Sequence, residues 1–231
     1  MLEEKKNIGS LFDRISGTYD RFNHVLSLNS DKRWRRKAVR AMSEAGELLD
    51  VAIGTADLSI EILRQKKAGS ITGIDLSAKM MEIGRAKAEK AGYGDMIGFL
   101  EESALAMPFA DGSFDAVTCS YGVRNFSDLD KGLSEMCRVL KSGGQLMILE
   151  FSYPENRLVR AVYDFFFSHL MPVVGRVISK DPKAYLYFRD SVKNFVWGEE
   201  MAARISGAGF SDVSFRTLSF GITTIYLARK K

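Results

Sequence analysis

The chain has 231 residues, 46% of them hydrophobic and 27% charged, a balance that belongs to a globular protein long enough for a large core, so one domain is the default. Lys and Arg number 33 against 29 Asp and Glu, a formal net charge of +4, and their scatter along the chain gives no reason to expect a nucleic-acid partner. The two isolated cysteines, Cys119 and Cys137, lack metal-ligand spacing and follow no signal peptide, which argues against a disulfide framework or a metal site and for a reducing cytoplasm.

Residues 3–45 are charged and helical in pattern, with a break around Leu28, Asn29 and Ser30. The one basic cluster, DKRWRRKAVR at 31–40, reads as a solvated helix face, with phosphate or anionic lipid as the alternative partner. ELLDVA at 47–52 predicts a buried strand, 57–67 a helix, SITGID at 70–75 a second strand, and 77–91 a helix opened by Ser77 as its cap. Strands follow at 97–101 and 114–120, then a helix over 128–140 stopped by Gly143 and Gly144, then a fifth strand, QLMILEFS, at 145–152. AVYDFFFSHLMPVVGRVI, residues 161–178, comes nearest to the roughly 18 uninterrupted apolar residues of a membrane span, but Asp164, His169, Pro172 and Arg176 break it. Its Phe165, Phe166, Phe167, Leu170 and Met171 predict an apolar stripe on a helix ending near Pro172, either packed on the core or serving as a greasy lid. A helix around 199–208 and two alternating runs, 212–219 and 222–229, close the chain as a hairpin. Repeated strand–helix units predict an α/β fold with a mostly parallel sheet, to which the hairpin adds an antiparallel strand.

In such a sheet ligands sit beyond the carboxyl ends of the strands, where strand order reverses. The first turn, within LLDVAIGTADLS at 48–59, is therefore the first site candidate. Asp50, Ala52, Gly54 and Ala56 alternate along it, and the small side chains would let a ligand approach the backbone, although Ala52 and Ala56 stand where a sharper turn would want glycine. Asp75 ends the second strand about 20 residues on, where an acid accepts both hydroxyl protons of a ribose. A dinucleotide oxidoreductase and an adenosylmethionine transferase share this arrangement. EESALAMPFADGSFDAV at 101–117 favours the transferase: its spacing is similar to methyltransferases, in which the loop after the third strand wraps the adenine.

YDRFNHVLSLNSDKRW at 19–34 and RVLKSGGQLMILEFS at 138–152 resemble the two signatures of the menaquinone and ubiquinone C-methyltransferase family, and YGVRN at 121–125 is similar to its segment after the fourth strand. The resemblance runs over nearly the whole chain, including the step Met171-Pro172. It departs at Asp31 and near Tyr226, where the family usually has His, at Ser142, usually Pro, and at Gly54-Thr55-Ala56, usually Gly-Thr-Gly.

That resemblance implies a Rossmann-like class I S-adenosylmethionine-dependent methyltransferase fold with a seven-stranded sheet. It implies one domain over 1–231, with an N-terminal helical segment over 1–45 and a substrate-lid insertion at about 154–197. It also implies the cofactor S-adenosyl-L-methionine. Asp50, Gly54 and Thr55 would bind the cofactor at the first turn, Gly54 and Thr55 against its methionine part, Asp75 would take the ribose, Ser103 and Ala104 would border the adenine, and Ser120 would lie near the sulfonium. The reaction implied is C-methylation of a prenylated quinol ring, because a phenolate ring carbon is nucleophilic whereas the oxidised quinone is electrophilic. Arg124 and Asn125 are expected to bind the phenolate oxygen, and Tyr19 and Asp20 to close the site, Asp20 accepting a proton. His24 and His169 are read as surface or core residues. The absence of a longer N-terminal extension favours demethylmenaquinol over the ubiquinone precursor, with another small acceptor for the same fold, or a binding relative without activity, as the alternatives. The expected setting is cytoplasmic or peripheral at the inner face of the membrane, with transient membrane-surface contact and a homodimer left open.

Overall fold

The protein's structure, a computed structural model, is described over residues 9–170 and 182–231. Two helices come first, α1 (Ser10–Leu26) and α2 (Ser30–Ala41), divided by a tight turn in which Leu28 and Asn29 both take positive φ, 50° and 60°. Then strand and helix alternate: β1 (Ala45–Val51), α3 (Asp57–Arg64), β2 (Ala68–Asp75), α4 (Ala78–Lys90), β3 (Ile97–Glu101), β4 (Phe114–Ser120), α5 (Leu129–Val139) and β5 (Leu140–Phe151). After β5 come α6 (Arg157–Phe165), a π-turn over Phe166–Leu170, α7 (Pro182–Asn194), α8 (Glu199–Gly207), β6 (Phe210–Leu218) and β7 (Thr223–Lys230). The predicted cap Ser77 accepts a hydrogen bond from the Met80 amide, and Asp128 caps α5 by accepting that of Lys131.

The strands form one sheet in the order β3-β2-β1-β4-β5-β7-β6, parallel from β3 to β5, with β7 antiparallel to both β5 and β6. A parallel sheet is covered on both faces, which explains the continuous apolar run of β1: Leu48 joins one core with Ile71, Ala116 and Met147, and Leu49 the other with Ile74, Val117 and Ile148. α3 ends at Arg64, before the expected 67, because Lys66 takes φ 57° and the Lys67 amide reaches back to the Ile62 carbonyl at 3.0 Å, closing the helix in a Schellman turn. Gly143 and Gly144 do not stop a helix. They lie inside β5, which starts at Leu140, and serve a register shift against β4 between Phe114 and Ala116; a Cβ on Gly144 would stand 2.7 Å from the Lys141 carbonyl oxygen.

In the insertion, α6 is capped by the Asn156 side chain, which accepts from the Leu158 and Val159 amides at 3.0 and 3.2 Å. Of the apolar stripe expected there, Phe165 is 58% exposed and Phe166 is half-buried against the core. Met171 and Pro172 lie outside the described residues, as do the side chains of Phe167 and Leu170.

Candidate active site

β1 and β4 are neighbours whose connections leave in opposite directions, so a crevice opens beyond their carboxyl ends. The chain enters it through a sharply coiled turn in which Ala52, Gly54 and Ala56 all have positive φ, at 57°, 54° and 61°. The two alanines thus occupy the left-handed region that glycine takes without strain, at a cost of roughly 1–2 kcal/mol each. Asp75 fastens the turn to the end of β2: one carboxylate oxygen accepts the Gly54 amide at 2.8 Å, the other that of Ser77 at 2.9 Å. Burial raises the pKa of Asp75, and the amides of Ser77 and Gly54 oppose that rise. A carboxylate offers about four lone-pair sites, so acceptor capacity remains for a ligand beyond these amides.

A cavity of about 80 Å³ lies over this turn. Gly54, Asp75, Ala104, Ser120, Asn125 and Tyr19 line it, six of the residues expected from the sequence. The Ser120 hydroxyl is buried there without a hydrogen-bond partner, a polar atom waiting for one. Ile74, Leu76, Met80 and Phe126 supply apolar walls, and a Cβ on Gly122 would meet that of Ala52 at 2.6 Å, so the floor admits no larger residue.

Four expected residues face elsewhere. Asp50, 1% exposed, accepts from the hydroxyls of Ser59 at 2.6 Å and Thr118 at 2.8 Å, bracing β1 from behind the turn. Its burial raises its pKa to about 6. The Ser103 hydroxyl accepts the Leu105 amide at 3.2 Å and shapes the loop that presents Ala104. Thr55 and Asp20 meet on the other side of the turn, the threonine hydroxyl donating at 2.7 Å, and Lys87 binds both, at 3.2 and 2.7 Å. Asp20 is therefore a tether of α1 to the sheet rather than an acid facing either cavity. Lys87 also pairs with Asp57, and the chain of charges continues through Arg35 to Asp31, whose carboxylate takes His24 Nδ1 at 2.9 Å. Asp31, one of the departures from the family pattern, is thus a buried structural partner. So is Tyr226, whose hydroxyl accepts the Gly198 amide at 2.8 Å.

Arg124 lines a second, smaller and more apolar cavity of about 30 Å³, walled by Leu11, Phe12, Ile15, Phe22, Tyr187 and Phe188. Phe12 and Tyr19 belong to both cavities, so the two adjoin across them. The guanidinium donates to Glu150 at 2.8 Å and to the Tyr121 carbonyl, lies 5.3 Å from the ring centres of Phe151 and Phe188, and keeps a buried Nε without a partner. Burial, the largest influence, works against its charge, and the Glu150 carboxylate reverses it, so the pKa of Arg124 is raised. Burial also raises the pKa of Glu150. Asn125 accepts the Tyr187 hydroxyl at 2.9 Å where the cavities meet. Tyr19 is held neutral by burial, although the charge of Arg124 opposes this.

Sequence reading missed Tyr121, Phe12, Tyr187 and Phe188. Tyr121 sits inside the YGVRN segment, but nothing in its identity forecasts φ 59° or its ring stacked 4.4 Å from that of Phe151. The other three come from helices far apart in sequence, and only the tertiary fold brings them together.

The sheet order, the crevice and its acid at the end of β2 define the class: this is the fold of S-adenosylmethionine-dependent class I methyltransferases. A methyltransferase of Thermotoga maritima, described as a possible histamine N-methyltransferase, superposes with a TM-score of 0.69 over 97% of this chain and all of that one, at 20% identity. A family model described as the ubiE/COQ5 methyltransferase family matches residues 1–230, and the chain belongs to that family. It is 42% identical over 230 residues to a demethylmenaquinone methyltransferase of Bacteroides fragilis strain ATCC 25285, covering 99% of this chain and 94% of that protein. It is also 42% identical over 233 residues to a ubiquinone/menaquinone biosynthesis C-methyltransferase of Geobacter sulfurreducens, covering 100% and 91%.

The first cavity fits S-adenosylmethionine. Gly54 would leave backbone open to a carboxylate-bearing tail, Asp75 would offer its remaining acceptor capacity to ribose hydroxyls, Ala104 and Phe126 would border a purine, and the Ser120 hydroxyl lacks a partner.

Proposed function

We propose that this methyltransferase uses S-adenosylmethionine to methylate a ring carbon of a prenylated quinol, demethylmenaquinol before the ubiquinone precursor. The relatives named demethylmenaquinone methyltransferase support the substrate class. The observation that carries the reading is the pair of adjoining cavities: one suits the cofactor, and the other is an apolar chamber that, among the described residues, holds a single buried cation, Arg124.

Bound cofactor supplies an electrophilic methyl group; the residues must deliver a nucleophilic carbon to it. A quinol becomes such a nucleophile as its oxygen gains negative charge, and Arg124, always charged and excluded from water, favours that charge. Glu150 and the Tyr121 carbonyl fix the guanidinium, so the stabilisation is set in place before reaction. Tyr19, neutral at the junction of the cavities, donates its hydroxyl to the acceptor, and Asn125, held by Tyr187, offers its amide beside it. Phe12, Phe22 and Phe188 exclude water and hold the ring so that carbon and methyl approach to about 3–3.5 Å. The whole chain acts as one domain, with the insertion at 154–197 covering the substrate, in the cytoplasm at the inner face of the membrane.

A competition assay tests the substrate. With reduced demethylmenaquinol, the ubiquinone-precursor benzoquinol and a simple phenol at equal concentration under anaerobic conditions, the expected ranking by kcat/KM places demethylmenaquinol first. A soluble phenol or amine turned over faster would make this a methyltransferase of another acceptor.

A further inference from the structure

A wide apolar groove of about 1200 Å³ opens on the molecular surface beyond Phe151, bordered by Trp34, Tyr163, Leu158, Val162 and Phe220. Phe151 connects it to the interior, for its ring packs 5.2 Å from that of Phe188, which walls the inner cavity. Among the described residues, five large apolar side chains are more than half exposed, and all belong to this region: Leu28 at 79%, Leu158 at 76%, Val162 at 64%, Phe165 at 58% and Phe220 at 84%.

Their arrangement is not what packing alone would give. At 100° per residue, Leu158, Val162 and Phe165 share one face of α6 while Arg157, Arg160 and Asp164 occupy the other, so the helix is amphipathic with its apolar side outward. Leu28 and Phe220 stand in tight turns at φ 50° and 59°, a region where bulky residues are rare and strained, and they gain no burial in return. Beside the groove, α2 carries exposed Arg33 and Lys37 within about 60° of Ser30, which lines it. An apolar face with a cationic border matches an anionic lipid interface, whereas a second copy related by a two-fold axis would bring the cationic borders together.

We infer that this face docks on an anionic lipid bilayer. Leu28, Phe220 and the outward side of α6 enter the headgroup–acyl boundary, Arg33 and Lys37 lie over the headgroups, and the groove opens toward the acyl chains. Its purpose rests on the prenylated substrate proposed above, since a tail could then pass along Phe151 and Phe188 toward the ring site without crossing water.

Co-sedimentation with vesicles of phosphatidylcholine, with and without phosphatidylglycerol, tests the face without any turnover, so failure of the substrate reading leaves the result standing. The whole protein is expected to bind the anionic vesicles. Leu28→Ser/Phe220→Ser, at sites too exposed to threaten folding, is expected to weaken binding by at least about tenfold, as loss of two inserted side chains requires. Arg33→Gln/Lys37→Gln is expected to remove most of the preference for anionic lipid. Both double variants should keep wild-type turnover of a tail-less, water-soluble quinol. Absence of wild-type binding, or binding unchanged in Leu28→Ser/Phe220→Ser, overturns the assignment. So does a dimer in sedimentation equilibrium that the same variant dissociates, which would give the face to a second copy.

Discussion

Asp75 holds the Gly54 turn, and in the proposed reading the same carboxylate would also meet a ribose. Asp75→Ala should therefore weaken S-adenosylmethionine binding by about 1.5–3 kcal/mol, the range for hydrogen bonds to a charged group, with the fold checked by circular dichroism. Unchanged affinity by calorimetry removes Asp75 from the site. Arg124 needs a different design, because Arg124→Ala strands the Glu150 charge in the interior at a cost of about 3–5 kcal/mol and would lower activity by unfolding alone. In Arg124→Gln/Glu150→Gln both charges go; this variant should fold and bind cofactor nearly as wild type while its turnover number falls on the order of 10²-fold. Wild-type turnover in that variant ends the catalytic role. Asp50 gives a pH signature instead. Its pKa rises from 3.8 to about 6 in the fold, so it holds its proton more tightly folded than unfolded, and its stabilising contribution is lost as pH rises from about 4 through 6. Asp50→Asn lacks that loss, so urea unfolding should show the variant gaining on wild type between pH 4 and 7 by up to about 3 kcal/mol, two pKa units. A constant difference across that range would show that Asp50 is not strained by its burial. The sequence marked all three positions, but for Asp50, Thr55, Ser103 and Asp20 it could not say which side of the backbone would face the cleft. Three left-handed residues in five coil the turn, and the alternation of an extended strand no longer predicts direction there.

At the scale of elements, every strand was legible, because a buried parallel strand reads as a short apolar run and the closing hairpin as alternation. Boundaries shifted where backbone conformation, not hydrophobicity, decides them: the Schellman turn at Lys66 shortens α3, and the glycine pair turns out to bend β5. The N-terminal helices were visible as helices, and the expectation that Tyr19 and Asp20 close the site pointed to them as its cover, but their attachment could not be read, since it is made by polar contacts between distant residues. α1 is held by Asp20 on Thr55 and Lys87 and by Asp13, which accepts the Ser77 hydroxyl at 2.5 Å. It contributes Phe12 and Tyr19 to both cavities. Lys87→Met should release this tether, speeding amide exchange across α1 by roughly 5- to 30-fold, equivalent to about 1–2 kcal/mol, and weakening cofactor binding while the sheet exchanges as before. If α1 exchanges unchanged, the charge network does not hold the roof.

For the whole molecule, the chain composes a sheet that places a cofactor cavity at its switch point, a roof that adds an apolar ring chamber, and an apolar face reached past Phe151. The first of these could be read from strand order and spacing; of the others the sequence offered only Tyr19 and Asp20 as residues closing the site and an apolar lid at about 154–197, because the cavities themselves depend on where α1, α6 and α7 pack rather than on any local pattern. Among the described residues no helix is long and apolar enough to cross a membrane. The central claim is transfer of a methyl group to a quinol ring carbon. Incubation with S-adenosylmethionine carrying a ¹³C methyl group and demethylmenaquinol, held reduced under anaerobic conditions, tests it directly by NMR of the product. The account predicts the label as a methyl on ring carbon, with no product from the oxidised quinone run in parallel. A label on oxygen, equal turnover of the oxidised quinone, or no transfer to the quinol would contradict it.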